Sequence, residues 1–346
     1  MELAIEHLHL QFFGHDECLH DVNLHCGDGL SVVYGEVGSG KTALLKCVAA
    51  INSYEGAVTL DGAPLGVGKD GDCCMVFDDL ALFGRRTLYY NLTYPLRLRK
   101  VPKAQWADML APLLKRWGLQ KTFLDNPVYR APKDTQVRLA LARACLLPRK
   151  VLLLDNPLSG LTPDDRRQLF RTLSQWMHGY AGVVLYATDD MDEVRALGAP
   201  TAVLSGGYLL AYDVPDTLRR TLPSVYLASR MIPYWQAAEG VAQAGTVHTE
   251  WGDWAAAYPP SYEGKRVLTG FGPRDWEVQD DEEGPYLVQN TLYAEGETYS
   301  VATTQETSIV VEGVRAIGAR LRATPRGQLP VYDAVGEWRI DAPKGE

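Results

Sequence analysis

The sequence lacks three features that would each define a class of protein. No apolar run approaches the roughly 18 residues that a membrane-spanning helix needs, and no segment has the plan of a signal peptide, which predicts a cytosolic protein. The six cysteines include no CxxC pair, which argues against a disulfide framework or a zinc ribbon. There is no Lys/Arg run and the net charge is −9, which argues against a nucleic-acid partner.

Length and patterning predict two domains. The chain has 346 residues and 46% hydrophobic residues, enough for more than one core. Up to about residue 235, short apolar strands alternate with amphipathic helices, which indicates a parallel α/β sheet with a helical segment at about 84–150. From 235 onward, five of the eight tryptophans accompany short alternating runs, which predicts an all-β domain at 236–346.

The strongest motif is GEVGSGKT at 35–42, between the strand LSVVY and the helix ALLKCVAA. Glycines at such spacing let backbone N–H groups turn inward and cradle a triphosphate. Lys41 is then placed to reach the terminal phosphates, and Thr42 offers a hydroxyl to magnesium. Asp155, at the end of the apolar strand VLLLD, supplies the second half of a magnesium site. The predicted nucleotide-binding residues of the loop are Gly35, Gly38, Ser39, Gly40, Lys41 and Thr42.

The order of these segments resembles the nucleotide-binding subunits of ATP-binding cassette (ABC) importers that carry a C-terminal regulatory domain. The similar stretches include FFG (12–14), VFDDLALF (76–83), RLALARACLLPRKVLLLD (138–155), VLYATDDMDEV (184–194) and GFGPRDWEV (270–278). The resemblance implies a P-loop NTPase α/β domain with a helical subdomain, then an all-β OB-like regulatory domain. It also implies ATP or ADP with Mg²⁺ as cofactor, and Phe13 as the ring that stacks on adenine.

Several positions depart from the family pattern. The family has glutamine at Asp78, the water-polarising glutamate at Asn156 and the γ-phosphate histidine at Asp189. The aspartate of the loop after the magnesium strand falls on Thr162. The signature LSGGQ aligns with APKDT, in which both glycines are lost. The degenerate signature residues are Ala131, Pro132, Lys133, Asp134 and Thr135.

These departures predict nucleotide binding with little hydrolysis. Loss of a general base alone removes about 100-fold to 10,000-fold in rate, and Asn156 has no titratable oxygen. The resemblance implies a peripheral protein on the cytoplasmic face of the plasma membrane, with two transmembrane permease subunits and an extracytoplasmic substrate-binding protein. The departures imply a second, catalytically intact ABC ATPase chain as partner. The overall length and the type of barrel favour the carbohydrate and polyol branch of the family for the transported solute.

Two other functions stay open. One is a non-hydrolysing regulatory or scaffold subunit that binds nucleotide, and the other is a weak ATPase with an unusual base such as Asp79 or Asp190. Five of the seven histidines lie in the first 25 residues beside Cys18 and Cys26, but their spacing is not that of a metal site. Cys73 and Cys74 are adjacent on a strand, which favours packing in a core over redox chemistry.

Overall fold

The chain forms two compact units, Met1–Pro215 and Asp216–Glu346. The structure is a computed structural model that describes residues 1–12, 14, 16–66, 68, 71–294 and 296–340. The division lies twenty residues before the boundary near 235 that the sequence suggested. The segment after Pro215 hydrogen-bonds to the end of the chain: Val225 N donates to Glu337 O at 3.0 Å and Arg339 N to Pro223 O at 2.9 Å. These bonds join that segment to the second unit.

The first unit contains ten strands and six helices in the part of the chain that the structure describes. The strands are β1 (Leu3–Gln11), β2 (Glu17–Cys26), β3 (Gly29–Tyr34), β4 (Glu55–Leu60), β5 (Ala63–Pro64), β6 (Cys73–Val76), β7 (Val151–Asp155), β8 (Val183–Thr188), β9 (Thr201–Ser205) and β10 (Tyr208–Asp213). The helices are α1 (Lys41–Val48), α2 (Leu88–Leu98), α3 (Trp106–Arg116), α4 (Lys133–Cys145), α5 (Pro163–His178) and α6 (Met191–Leu197). Short 3₁₀ turns occupy Lys103–Gln105, Lys121–Phe123 and Val128–Arg130.

A six-stranded sheet in the order β10-β9-β3-β8-β7-β6 is the centre of the first unit. Neighbours from β9 to β6 are parallel, and β10 is antiparallel to β9. Every residue of β7 and β8 is buried, as expected for strands covered on both faces. The predicted parallel α/β sheet is confirmed, and the carboxyl ends of β3, β8, β7 and β6 meet at one edge.

The antiparallel sheet β2-β1-β4-β5 packs on that centre. Leu3, Ile5 and Leu8 of β1 are fully buried in a core that also contains Leu44 and Leu45 of α1. The alternation of buried and exposed residues along β1 and β2 matches a sheet with one face on the core. The core therefore holds β1 and β2 close to the loop that precedes α1.

The helical segment predicted for about 84–150 contains α2, α3 and α4. The amphipathic pattern at 103–120 forms α3, with Trp106, Leu110, Leu113 and Leu114 buried. Trp117, just after this helix, is fully buried. The spacing of three and four therefore marks the inward face of the helix, as predicted.

The second unit begins with two helices and is otherwise all-β among its described residues. Its helices are α7 (Pro215–Thr221), which starts one residue before the division, and α8 (Val225–Met231), and Pro260–Tyr262 is a 3₁₀ turn. Its strands are β11 (Gln236–Gln243), β12 (Thr246–Thr249), β13 (Gly252–Ala255), β14 (Arg266–Phe271), β15 (Trp276–Asp280), β16 (Tyr286–Ala294), β17 (Glu297–Thr303), β18 (Ser308–Glu312), β19 (Arg320–Pro325) and β20 (Val331–Asp333).

These strands form two five-stranded antiparallel sheets, β13-β12-β11-β14-β20 and β15-β19-β16-β17-β18. Trp254, Phe271 and Trp276 lie in one hydrophobic core with ring centroids 4.8 to 5.4 Å apart. The alternating runs and tryptophans thus predicted the all-β unit, and its two sheets are consistent with the OB-like domain that the family resemblance implies. None of the helices in the described residues is both long enough and apolar enough to span a bilayer.

Candidate functional site

A cleft of about 510 Å³ opens at the carboxyl edge of the central sheet. It is lined by the loop before α1 and by residues at or just after the ends of β6, β7 and β8: Asp78, Asp155, Asn156 and Asp189. These residues meet because parallel strands end at the same edge of a sheet. The structure therefore gathers the predicted phosphate, magnesium and degenerate positions in one cleft.

The loop 35–42 requires glycine where the sequence has it. A Cβ on Gly35 would lie 2.4 Å from both Leu204 O and Ser39 Oγ, so no larger residue fits there. Gly38 and Gly40 have φ of +85° and +104°, in the region where side chains are strained. This geometry keeps the loop tight, as a cradle of backbone N–H groups for phosphate requires.

Lys41 lies inside this loop and is 7% exposed. Its Nζ donates to Gly35 O at 2.6 Å and to Glu36 O at 2.8 Å. Burial lowers the pKa of Lys41, and the nearby carboxylates of Asp189 and Asp155 oppose that shift. Among the described residues, no carboxylate is in direct contact with this ammonium, which is held by neutral carbonyls and is therefore suited to receive an anion.

Thr42 and Asp155 form the second element of the site. Thr42 Oγ1 donates to Asp155 Oδ1 at 3.0 Å. Asp155 is 1% exposed, and its Oδ2 has no hydrogen-bond partner among the described residues. Burial is the main cause that raises the pKa of Asp155, with Asp78 adding to it. An unsatisfied buried carboxylate oxygen beside a hydroxyl is a donor set that suits Mg²⁺. The residues present therefore fit a magnesium ion and a nucleotide phosphate.

Asn156 and Asp189 contact each other across the ends of β7 and β8. Asn156 has φ of +41°, which asparagine tolerates better than most residues, and its N donates to Ala187 O at 3.0 Å. Its Nδ2 donates to Asp189 Oδ1 at 3.3 Å. Asp189 is exposed to the cleft. Its carboxylate thus turns towards the asparagine and still adds a negative charge to the site.

Asp78 is exposed in the loop after β6, where its Oδ1 accepts from Asp79 N at 2.9 Å. Together with Asp155 and Asp189 it makes three carboxylates that line the cleft. The lysines on the same lining are Lys41 and Lys46. The formal charge of these side chains is −1, so the cleft accommodates a polyphosphate most readily with a divalent cation.

The two aspartates considered as alternative bases are otherwise engaged. Asp190 Oδ2 accepts from Arg166 Nη1 at 2.6 Å, and its Oδ1 caps α6 by accepting from Asp192 N. Asp79 Oδ1 accepts from Ala81 N at 2.9 Å, and Asp79 does not line the cleft. Neither carboxylate is among the residues that line the cleft.

Sequence reasoning missed a buried network behind Asp189. Glu193 is 5% exposed, and its Oε2 accepts from Tyr186 OH at 2.7 Å and from Thr188 Oγ1 at 2.6 Å. Thr188 Oγ1 in turn accepts from Asp190 N at 3.1 Å. Burial raises the pKa of Glu193, whereas the two hydroxyl donors and Arg166 lower it. These hydrogen bonds fix the turn at 188–190. The only sign of the network in the sequence is a glutamate shortly after a buried strand.

The predicted signature residues and Thr162 are not among the residues that line the cleft. Ala131 and Pro132 precede α4, and Lys133, Asp134 and Thr135 form its first turn, which has no side-chain cap. Thr162 caps α5, since its Oγ1 accepts from Asp165 N. Phe13 lies outside the described residues, while its neighbour Phe12 is 45% exposed and lines the cleft.

The described histidines near the N-terminus, at positions 7, 9, 20 and 25, pair with carboxylates. His9 Nδ1 lies 2.6 Å from Glu17 Oε1, and His20 Nδ1 lies 3.1 Å from Glu17 Oε2. Within the described ranges, no group of three or more His, Cys, Asp or Glu residues is arranged to hold a metal ion. Burial is the main cause that raises the pKa of the Cys73 and Cys74 thiols, which fits their predicted packing role.

Comparison with known proteins agrees with this geometry. Residues 19–159 match the ABC transporter family. Over 226 residues the chain is 32% identical to "Fe(3+) ions import ATP-binding protein FbpC" of Photobacterium profundum, covering 63% of each chain. Over 290 residues it is 27% identical to "Oligosaccharides import ATP-binding protein MsmX" of Bacillus subtilis, covering 79% of this chain and 78% of the relative. The match to the iron-import relative therefore spans less than two thirds of its length.

A solved structure supports the fold assignment. CbiO1 of Clostridium perfringens, described as part of the ABC transporter complex CbiONQ, superposes with a TM-score of 0.56 at 21% identity, covering 66% of this chain and 91% of that one. ATP with Mg²⁺ is the cofactor of this family, and the cleft residues fit both. Residues 19–159, within the first unit, therefore carry an ABC transporter domain, and the cleft that they help to form fits its nucleotide.

Proposed function

We propose that this chain is the ATP-binding subunit of an ABC importer, that it binds Mg-ATP, and that it contributes little hydrolysis at its own site. Lys41, Thr42 and Asp155 would hold the phosphates and the magnesium ion, and Phe13 the adenine. The bound metal supplies charge neutralisation for the phosphates. The observation that carries the proposal is the Asn156–Asp189 hydrogen bond in the cleft: the residue after Asp155 is an amide donor, unable to accept a proton.

The proposed partner is a second ABC ATPase chain with intact catalytic residues. Ala131–Thr135 lacks the glycines that would let backbone N–H groups of α4 approach a phosphate of that partner. Two copies of this chain would thus form two poor sites, whereas a partner chain would keep its own base. The proposed assembly further contains two transmembrane permease subunits and an extracytoplasmic substrate-binding protein, with this chain on the cytoplasmic face of the plasma membrane.

For the solute, the proposal is a carbohydrate or polyol. The relative named for oligosaccharides matches beyond the first unit, over 290 residues, which supports this choice. A relative from Pyrococcus horikoshii named for molybdate and tungstate matches over 301 residues at 26% identity. Uptake of labelled maltooligosaccharide, glycerol and molybdate by cells with and without this chain would separate these solutes.

The test of the nucleotide function compares binding with hydrolysis in the full-length chain. We expect Mg-ATP to bind and the rate of phosphate release to be at background. Restoring the family residues through Asp78→Gln, Asn156→Glu and Asp189→His should raise the rate by at least about 100-fold, the size of a general-base contribution. The same triple variant with Lys41→Ala is the control, in which the gain should vanish. Rapid hydrolysis by the wild-type chain would instead favour a weak ATPase with a non-standard base.

The proposed alternative is a non-hydrolysing regulator. The composition and the ATPase activity of the assembled transporter distinguish it from the mixed dimer. We would extract the membrane complex with detergent, identify its chains by mass spectrometry and measure ATPase activity. A second ABC ATPase chain with an Asp-Glu pair supports the mixed dimer. A complex that contains two copies of this chain and shows no turnover supports the regulator.

A further inference from the structure

The helical segment 84–150 has a charge opposite to that of the rest of the chain. It carries 15 Lys and Arg residues against the three acidic residues Asp108, Asp125 and Asp134, a net charge of +12. The whole chain has −9, so the other residues together carry −21. A basic region this strong within an acidic protein indicates a polyanionic partner. The whole-chain value hides this asymmetry.

Four side chains at the start of this segment stack into a continuous row that we name the basic ladder: Arg86, Tyr90, Arg97 and Trp106. The Arg86 guanidinium lies 5.1 Å from the centre of the Tyr90 ring, and the Arg97 guanidinium lies 5.2 Å from the same ring. Arg97 also lies 5.1 Å from the Trp106 ring. Both arginines are exposed, while Trp106 is 5% exposed. Stacking on rings therefore orients two guanidiniums at the surface.

Two lysines extend the basic ladder along the connection between α2 and α3. Lys100 and Lys103 are both exposed, and Lys100 N donates to Arg97 O at 3.1 Å, which fixes it beside the ladder. In the part of the chain that the structure describes, no carboxylate lies within ion-pair distance of Arg86, Arg97, Lys100 or Lys103. Four uncompensated cations on one short stretch are available to an external anion.

We infer that the basic ladder with Lys100 and Lys103 is a contact surface for a membrane rich in anionic phospholipid. Basic side chains gain about 1 kcal/mol each near such a surface, which is about fivefold in partitioning per residue. A lipid partner agrees with the proposed function, which places the chain on the cytoplasmic face of a membrane. The inference does not depend on whether the cleft binds nucleotide.

Single-stranded nucleic acid is a poorer fit for the same surface. Such binding uses open aromatic faces on which bases stack. The guanidiniums of Arg86 and Arg97 both lie over the Tyr90 ring, and Trp106 is buried. Neither ring therefore offers a free face on which a base could stack. Guanidiniums alone suffice for lipid phosphates, which they bind through charge-assisted hydrogen bonds.

The experiment measures co-sedimentation of the full-length chain with vesicles of mixed phosphatidylglycerol and phosphatidylcholine, and with phosphatidylcholine alone. We expect binding to the anionic vesicles at low salt, loss of that binding at high salt, and no binding to the neutral vesicles. The variant Arg86→Gln, Arg97→Gln, Lys100→Gln and Lys103→Gln should weaken the binding on the order of 100-fold. This is less than the product of four fivefold effects, about 600-fold, because other basic residues remain.

A charge-matched control removes four exposed arginines elsewhere, at 167, 171, 220 and 266, and should change binding less than fivefold. Nucleotide binding should be unchanged in both variants, which checks that each is folded and separates this inference from the proposed function. If both variants lost vesicle binding equally, the binding would depend on net charge alone, which would overturn the assignment to the basic ladder. Absence of vesicle binding, or tighter binding to a single-stranded oligouridylate than to anionic vesicles, would overturn the lipid partner.

Discussion

Asp189 should make this site discriminate against the third phosphate of ATP, and Asp189→Asn should remove that effect. Where the family resemblance has a histidine, this chain places a carboxylate that lines the cleft with Asp78 and Asp155. For unit charges about 6 Å apart, an effective dielectric of about 40 to 80, suited to an exposed carboxylate, gives a repulsion of roughly 0.7 to 1.4 kcal/mol. We therefore expect the variant to improve the affinity for ATP relative to ADP by about three- to tenfold.

The substitution isolates charge from geometry. Asparagine has nearly the shape of aspartate, and its side-chain oxygen can still accept the hydrogen bond that Asn156 Nδ2 donates. The matched control is the substitution Asp28→Asn, which removes an exposed carboxylate just before β3. The opposite end of β3 leads into the phosphate loop. The six residues of β3 put the control about 20 Å from the cleft, beyond the screening length of about 10 Å at 0.1 M salt.

The assay is calorimetric titration of the full-length chain with Mg-ADP and with a non-hydrolysable Mg-ATP analogue. The quantity of interest is the ratio of the two dissociation constants, which cancels any general change in the fold. We expect Asp189→Asn to shift this ratio towards ATP at low salt and to shift it less at high salt, while Asp28→Asn leaves it unchanged. An identical ratio in wild type and Asp189→Asn would refute the electrostatic reasoning.

Three further predictions test the site and its support. Asp155→Ala should remove the magnesium dependence of nucleotide affinity, because it deletes the buried carboxylate oxygen without a partner; titration with and without the metal would measure it. Glu193→Ala should lower the free energy of unfolding by about 2 to 4 kcal/mol, since two buried hydroxyls lose their acceptor. The control Asp192→Ala, at an exposed residue, should lower it by less than about 1 kcal/mol; urea denaturation would measure both. Gly35→Ala should abolish nucleotide binding through its 2.4 Å clashes, whereas Gly38→Ala, with open space, should weaken binding mainly through strain of about 1 kcal/mol; equal loss in both would contradict this.

The sequence predicts most of the first unit because its strands have strong and simple patterns. VLLLD and VVLYAT are continuous apolar runs, and both become fully buried parallel strands. The loop at 35–42 follows one strand and begins one helix, as its glycines require. The all-β pattern of the second unit is likewise legible from alternation and turns.

Other features depend on contacts between distant residues and could not be read from the sequence. The segment after Pro215 has helical sequence of its own, but its bonds to residues 337–339 assign it to the second unit. The hydrogen bond that Asp190 accepts from Arg166, 24 residues away, is a second example. Neither contact has a local signal, because side-chain partners across a fold are set by packing and not by spacing along the chain.

The contact between Asn156 and Asp189 links two of the replaced positions into one physical unit. The strands β7 and β8 pair in parallel, with Asp155 opposite Ala187. Asn156 directly follows β7 and Asp189 directly follows β8, so both lie at the same edge of the sheet. A glutamate at 156 would lie against the carboxylate of Asp189, and two anions in contact repel by about 1 to 4 kcal/mol at 4 Å. An amide there instead donates to the carboxylate. Each replacement therefore makes the other more favourable, and restoring one residue without the other should recover less than its share of catalysis.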